Sequence, residues 1–225
     1  MARPISVIVG VGDGLSASLA RKLAKRGHEV VLAARKTDKL AGLVAETGGR
    51  AVACDAAQEA AVNALFAGLH SPPDVVVYNA SFRTRGPFTE LVPADVKKAL
   101  DITAFAGFLV AQAAARQMLS VKRGTIILTG ASASVKGYAQ SAPFAMGKFA
   151  LRGLAQSMAR ELQPQGLHVA HVVIDGGIRS DRRPDSGDAT LLDPDAIADS
   201  YLHLIDQPKS AWSWEIEVRP WVERF

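Results

Sequence analysis

The sequence predicts an α/β chain: a doubly wound, predominantly parallel sheet of seven strands with helices on both faces. Three observations predict it. Short apolar runs rich in β-branched residues alternate with Ala- and Leu-rich stretches all along the chain, the pattern of a parallel sheet covered on both sides. The strand candidates are near-continuous apolar runs, as burial on both faces requires. Gly27, Gly48-Gly49, Pro72-Pro73, Gly124 and Gly166 fall where a helix should stop or a strand begin.

In chain order, strands are expected at 5–9, 29–33, 51–53, 75–78, 125–129, 169–174 and 214–218. Helices are expected at 15–26, 37–46, 57–69, 94–119, 142–162 and 194–206. The last strand differs from the rest, because Trp214, Ile216 and Val218 alternate with Glu215, Glu217 and Arg219 as on a strand with one buried face. The aromatics that follow, to Trp221 and Phe225, are expected to dock on the domain or across a subunit interface, where Trp is enriched. No repeat or linker divides the 225 residues, a length that suits one domain, so 1–225 is expected to fold as a unit. The segment 176–193 lacks clear periodicity and carries Arg179, Arg182, Arg183, Asp185 and Asp188. A solvated loop is its plain reading; a substrate lid over the carboxyl ends of the strands is its functional one.

Composition excludes several classes. At 48% hydrophobic and 21% charged residues the chain is no disordered polymer. Its 26 Lys plus Arg against 22 Asp plus Glu leave a net charge of +4, and no basic stripe is interleaved with stacking aromatics, so nucleic-acid binding is not expected. Arg21, Lys22, Lys25 and Arg26 share a helix whose Leu15, Leu19 and Leu23 face the sheet, which makes them a solvated face. The single Cys54 can close no internal disulfide and build no multi-thiolate zinc site, in keeping with a reducing cytosol. His168 and His171 fall on opposite faces of a strand without accompanying carboxylates, so no metal is expected. The start has too short an apolar run for a secretory signal, and the stretch 105–111, broken by Gln112, falls far short of the roughly 20 residues that cross a bilayer. A cytoplasmic protein without a membrane partner is expected.

The first strand runs into Gly10-Val11-Gly12-Asp13-Gly14-Leu15-Ser16 and then a helix. Glycine lets the chain turn tightly there and lets the backbone approach a pyrophosphate held by the amides of the helix N-terminus. Following the first strand of a βαβ pattern, this is a dinucleotide site. The second strand is followed by Arg35 and Lys36, not by the acidic residue that would accept from ribose hydroxyls and repel a 2′-phosphate. A planar fork and a point charge at that place favour NADP(H) over NAD(H), although Asp13 argues mildly the other way.

These residues resemble those of the short-chain dehydrogenase/reductase family, and the resemblance, to a Rossmann-type fold, spans essentially the whole chain. Gly10 and Gly14 match the family's Thr-Gly-xxx-Gly-x-Gly loop, with Val9 for Thr, Leu15 in the apolar slot and Ser16 for the last Gly. Asp55 stands where the family has its adenine-contacting Asp. Asn79-Ala80 corresponds to the family's Asn-Asn-Ala-Gly, with Tyr78 for the first Asn and Ser81 for the Gly. Asp175-Gly176-Gly177-Ile178-Arg179-Ser180 resembles the Pro-Gly segment that covers the nicotinamide, which implies cofactor contacts for Gly176, Ile178 and Ser180.

The family's catalytic set is only partly present. Lys148 is retained, Phe144 occupies the Tyr position, Ala131 with Ser132 beside it occupies the Ser position, and Thr103 the helical Asn position. In the family the Tyr gives a proton to the developing alkoxide, its pKa lowered by the neighbouring ammonium. Phe144 has no proton to give, and losing a general acid typically costs about 10²- to 10⁴-fold in rate. Lys148 can still hold the nicotinamide ribose. Candidate substitutes are Ser132, Ser134 and Tyr138; Tyr78 is expected to pack near the adenosine, and Tyr201 lies far along the chain. The resemblance implies an NADP(H)-dependent oxidoreductase for a small carbonyl, alcohol or conjugated C=C substrate, with a non-standard proton donor. The alternative is a catalytically silent NADP(H)-binding sensor or assembly subunit. Helices 94–119 and 142–162 resemble the pair the family uses for dimers, implying a homodimer or homotetramer.

Overall fold

The computed structural model describes residues 3–181, 183–185, 187 and 189–223. Arg182 and Asp188 of the lid segment, and Phe225, lie outside the described residues.

The apolar run Ile5–Val9 becomes β1 with every side chain buried, and its one polar member, Ser6, shares a hydrogen bond with His28 Nδ1 at 2.7 Å. The strands that follow are β2 (Glu29–Ala34), β3 (Arg50–Ala53), β4 (Val75–Tyr78), β5 (Thr125–Thr129) and β6 (His168–Ile174). After them come β7 (Gly177–Ile178), β8 (Leu191–Leu192) and β9 (Glu215–Val218). Seven of these form one sheet in the order β3-β2-β1-β4-β5-β6-β9, with every neighbouring pair parallel. The expected doubly wound α/β sheet is therefore present. The order reverses between β1 and β4, which opens a crevice at their carboxyl ends.

Alternate residues of each strand feed two cores. Val7, Val31, Val76, Ile126 and Val169 join α3 (Glu59–Ala67), α5 (Ala106–Val121) and α6 (Ala142–Leu162) on one face. Ile8, Leu32, Val77, Ile127 and Val172 join α1 (Leu15–Lys25), α2 (Ala41–Thr47) and α7 (Pro194–Asp206) on the other. The basic side of α1 is more than a solvated face. Lys22 Nζ reaches Asp199 at 2.6 Å, Arg26 reaches Asp206 at 2.8 Å and Ser18 bonds Asp195, so α1 and α7 are clasped along their length.

Three local features depart from the expected elements. The helix expected at 94–119 is interrupted: α4 (Pro93–Leu100) passes through a π-helical turn, Asp101–Phe105, into α5. Taken together with its π turn, Pro93–Val121 is long and apolar enough to cross a membrane, and 56% of its most apolar window is buried inside the protein, as in a core helix. Within 176–193, β7 and β8 form a separate parallel ribbon. At the chain's end Trp212 stacks on His168 with centroids 4.9 Å apart and Trp214 packs on the α5–α6 core, whereas Trp221 stays 87% exposed. Ile216 and Val218 pack on the other face, so Trp214 precedes the strand and turns away from its alternation.

Candidate functional site

Backbone geometry dictates glycine where β1 turns towards α1. Gly10 has φ +89°, and a Cβ there would lie 2.6 Å from Ala80 Cα and overlap the Ala80 nitrogen. Position 10 thus demands glycine both for its conformation and for the close approach of the residue after β4. Gly12 faces open space. Gly14 caps α1 with no side-chain hydrogen bond and no acidic residue in the first turn, leaving the amide dipoles available to an anion. Ser16 Oγ donates to Gly10 O at 3.1 Å and accepts from Asn79 Nδ2 at 2.8 Å, latching the loop to the end of β4. Leu15 and Ser16 are buried, so they shape the loop without lining the cleft.

A cavity of about 670 Å³ opens over β1, β2 and β3. Its walls include Gly10, Gly12, Asp13, Arg35, Lys36, Asp55, Asn79 and Ala80. Asp55 Oδ1 accepts from Ala57 N at 3.2 Å. Among the described residues, no carboxylate lies within ion-pair distance of Arg35 or Lys36. A glycine loop under a helix terminus, with cationic side chains beyond β2, fits a dinucleotide.

A second cavity of about 380 Å³ shares Asn79 and Ser81 with the first and extends over β5 and β6. It is lined by Gly176, Ile178, Ser180 and Arg183 from the segment after β6, by Thr129, Phe144 and Lys148 from β5 and α6, and by Arg83. Lys148 is 3% exposed and its Nζ donates to Thr129 O at 2.6 Å. Burial, helped by the charge of Arg83, brings this amine down to about 7. Phe144 is buried, its ring centroid 5.7 Å from Lys148 Nζ and 4.0 Å from the Arg83 guanidinium carbon.

The other candidate donors sit elsewhere. Among the described residues no tyrosine lines either cavity. Tyr78 is buried and donates to Ile102 O inside the π turn, Tyr201 shares a hydrogen bond of 2.9 Å with Thr129 Oγ1, and Tyr138 lies 45% exposed on an outer depression beside Met146 and Phe149. Ser132 lines neither cavity, and Ser134 Oγ accepts from Ala131 N at 3.1 Å. Thr103 lies buried in the π turn, its Oγ1 accepting from Phe82 N at 3.4 Å. Gly147 lets α6 pass close by it, since a Cβ there would sit 2.8 Å from Thr103 Cβ. Lining residues that the sequence does not point to are Arg83 and Thr129, while Ser81, read there only as a motif position, lines both cavities. The signal for Arg83 was its place just after Asn79-Ala80, at the reversal point of the sheet.

Beneath Gly130, on the cavity floor, lies His171, fully buried. Its Nδ1 hydrogen-bonds Glu215 Oε2 at 2.9 Å, and Arg152 grips the same carboxylate with two bonds of 2.6 and 2.7 Å. Burial lowers His171 to about 4 against the opposing pull of Glu215. Among the described residues its Nε2 has no hydrogen-bond partner.

A parallel sheet whose reversal point carries a glycine loop and an unpaired cationic cleft defines a dinucleotide-binding chain of the doubly wound class. Residues 4–189 match the family model described as short chain dehydrogenase, and the chain belongs to the short-chain dehydrogenase/reductase family. An uncharacterized oxidoreductase of Staphylococcus aureus (strain N315) is 28% identical over 229 residues, covering 96% of each chain. Among solved structures, a short-chain dehydrogenase from Rhodopseudomonas palustris is 38% identical with a TM-score of 0.86, covering 98% of this chain and 100% of that one. A metagenomic short-chain oxidoreductase solved in complex with NADP is 30% identical with a TM-score of 0.85, covering 96% and 97%.

Proposed function

We propose that this chain is an NADP(H)-dependent oxidoreductase acting on a small carbonyl, alcohol or conjugated C=C substrate, with Lys148 as its proton donor. The observation that carries the reading is the buried Lys148 amine on the wall of the second cavity, beside a Phe144 that has no proton. In the first cavity Arg35 and Lys36 would hold a 2′-phosphate, Asp55 the adenine, and the Gly10–Gly14 turn the diphosphate; the NADP-bound relative supports this assignment. Asn79, Ala80, Gly176, Ile178 and Ser180 would hold the nicotinamide half, with Lys148 near its ribose. A bound nicotinamide supplies the hydride donor or acceptor. The protein's part is the proton. An amine poised near neutrality exchanges it with little penalty in either direction, and Thr129 O holds the nitrogen in place. Segment 176–193 acts as the lid, since Ile178, Ser180 and Arg183 already wall the cavity.

The whole of 1–225 works as one cytoplasmic domain. Phe105 and Phe108, stacked at 6.2 Å, lie exposed, as do Met146 and Phe149, which supports a homodimer or homotetramer through the helices spanning 93–121 and 142–162. Phe144 favours a second reading, a catalytically silent NADP(H)-binding sensor or assembly subunit. NADPH oxidation, followed by absorbance with aldehydes, ketones and enones, separates the two. Turnover by the native protein that falls about 10²-fold or more in Lys148→Met supports the enzyme. No turnover by the native protein, with carbonyl reduction gained in Phe144→Tyr, supports the silent reading. Arg35→Glu should weaken NADPH more than NADH, and tighter native binding of NADH would sink the NADP assignment.

A further inference from the structure

We infer that the second cavity takes a substrate carrying a carboxylate next to its reacting carbonyl or alcohol, and that Arg83, with Arg183, binds that carboxylate. This deepens the oxidoreductase reading and rests on it for the identity of the reacting group.

The Arg83 guanidinium has a defined seat. Its side chain is exposed at the cavity mouth and rests over the buried Phe144 ring at 4.0 Å, and its loop backbone is tied on both sides, through Phe82 N to Thr103 Oγ1 at 3.4 Å and through Gly86 N to Gln140 O at 3.1 Å. Arg183 lines the same cavity, its backbone bonded both ways with Ser180 at 3.0 and 2.9 Å, its side chain filling space that only glycine at 177 leaves open. Elsewhere on the molecule Arg21, Arg26, Arg50, Arg123, Arg152 and Arg179 each hold a carboxylate. Among the described residues, no carboxylate lies within ion-pair distance of Arg83, Arg85 or Arg183. Burial and the mutual repulsion of these cations weaken Arg83's hold on its proton, a strain that a bound anion relieves. A guanidinium fork matches a carboxylate bidentately.

The position of the fork selects the substrate over the cofactor as the source of the anion. The 2′-phosphate has its own cations in Arg35 and Lys36, in the first cavity. Arg83 and Lys148 instead line one and the same cavity, 4.0 and 5.7 Å from the centroid of the Phe144 ring, so a small acid held by the guanidinium shares that cavity with the amine. A short oxo acid or hydroxy acid meets that geometry.

Isothermal titration of the NADP⁺-saturated protein with benzoylformate, its neutral methyl ester and acetoacetate tests this without requiring turnover. At least one acid should bind, the ester about 10- to 100-fold more weakly than benzoylformate, and Arg83→Gln should remove that preference while leaving NADP⁺ affinity unchanged. Arg183→Gln should give a smaller loss of the same kind. Neither acid binding, acid and ester binding alike, or acid affinity unchanged in Arg83→Gln overturns the assignment. Loss of NADP⁺ affinity in Arg83→Gln with acid binding spared also overturns it, because the fork then serves the cofactor's diphosphate. Acid binding without any NADPH oxidation would refute the oxidoreductase reading alone; turnover of neutral carbonyls with no acid binding would refute this inference alone.

Discussion

Acid should destabilise this protein through one buried histidine. His171 is fully buried and its pKa falls from 6.5 to about 4, chiefly through burial, with Glu215 pulling the other way. Because the folded value lies below the unfolded one, the folded state binds the proton less well. Stability from the neutral ring is therefore complete above pH 6.5 and is lost as pH falls towards 4. Between pH 7.5 and 4.5 the loss is roughly 2–3 kcal/mol, at about 1.4 kcal/mol per pH unit. The carboxylate of Glu215 is itself held below its usual range: burial raises it, but the Arg152 and His171 hydrogen bonds outweigh that, so its contribution is lost at lower pH still. Urea unfolding of the native protein and of His171→Gln at the two pH values isolates the histidine, because His28 and His168, also lowered by burial, contribute to both. The native protein should lose about 2–3 kcal/mol more than the variant over that step. An equal pH dependence in the two proteins would refute the reasoning.

Two substitutions test the site's framework. Gly10→Ala must adopt positive φ and overlap Ala80, costs of about 1–2 and 1–3 kcal/mol, so unfolding in urea should show a loss near 2–5 kcal/mol together with weakened NADPH binding; a change under about 0.5 kcal/mol would contradict the close approach. Lys148→Met should stabilise the fold while removing turnover. The folded amine titrates at about 7 against 10.5 ordinarily, so its burial penalises folding increasingly as pH falls from 10.5 to 7. The gain at pH 7.5, set against the hydrogen bond lost by Thr129 O, should be about 1–3 kcal/mol and shrink at pH 10; a variant less stable than native at both pH values contradicts a depressed amine.

Periodicity reaches as far as burial does. The strands 5–9, 75–78 and 125–129 are legible to the residue because each presents apolar groups to fixed neighbours on both faces of the sheet, and the helix 142–162 because one stripe of it packs on the core. The π turn at Asp101–Phe105 is invisible to the same signal, since it is a single turn of five residues, too short to carry a period of its own. The two-residue strands β7 and β8 are too short to carry a period. Lys148 and Gly10 could be found by motif because backbone geometry fixes what they do. Tyr138 could not be placed, because its position depends on how the 135–141 loop lies against α6. Arg83 went unnoticed for the opposite reason: Phe144 looked like a lost acid, and only the fold reveals the ring as the platform on which the guanidinium rests.

The clasp between α1 and α7 joins residues 177 apart in the chain. Synthesised well before α7, α1 thus finds its partner only when the residues between them have followed. Until then Leu19 and Leu23 can bury themselves against β1 and β2, but the flank that carries Ser18, Lys22 and Arg26 stays wet, and the Ile127–Val172 side of the sheet lacks the cover that Ile197 and Tyr201 provide. On that wet flank the charges of Lys22 and Arg26 disfavour association with other chains before they become the halves of ion pairs with Asp199 and Asp206.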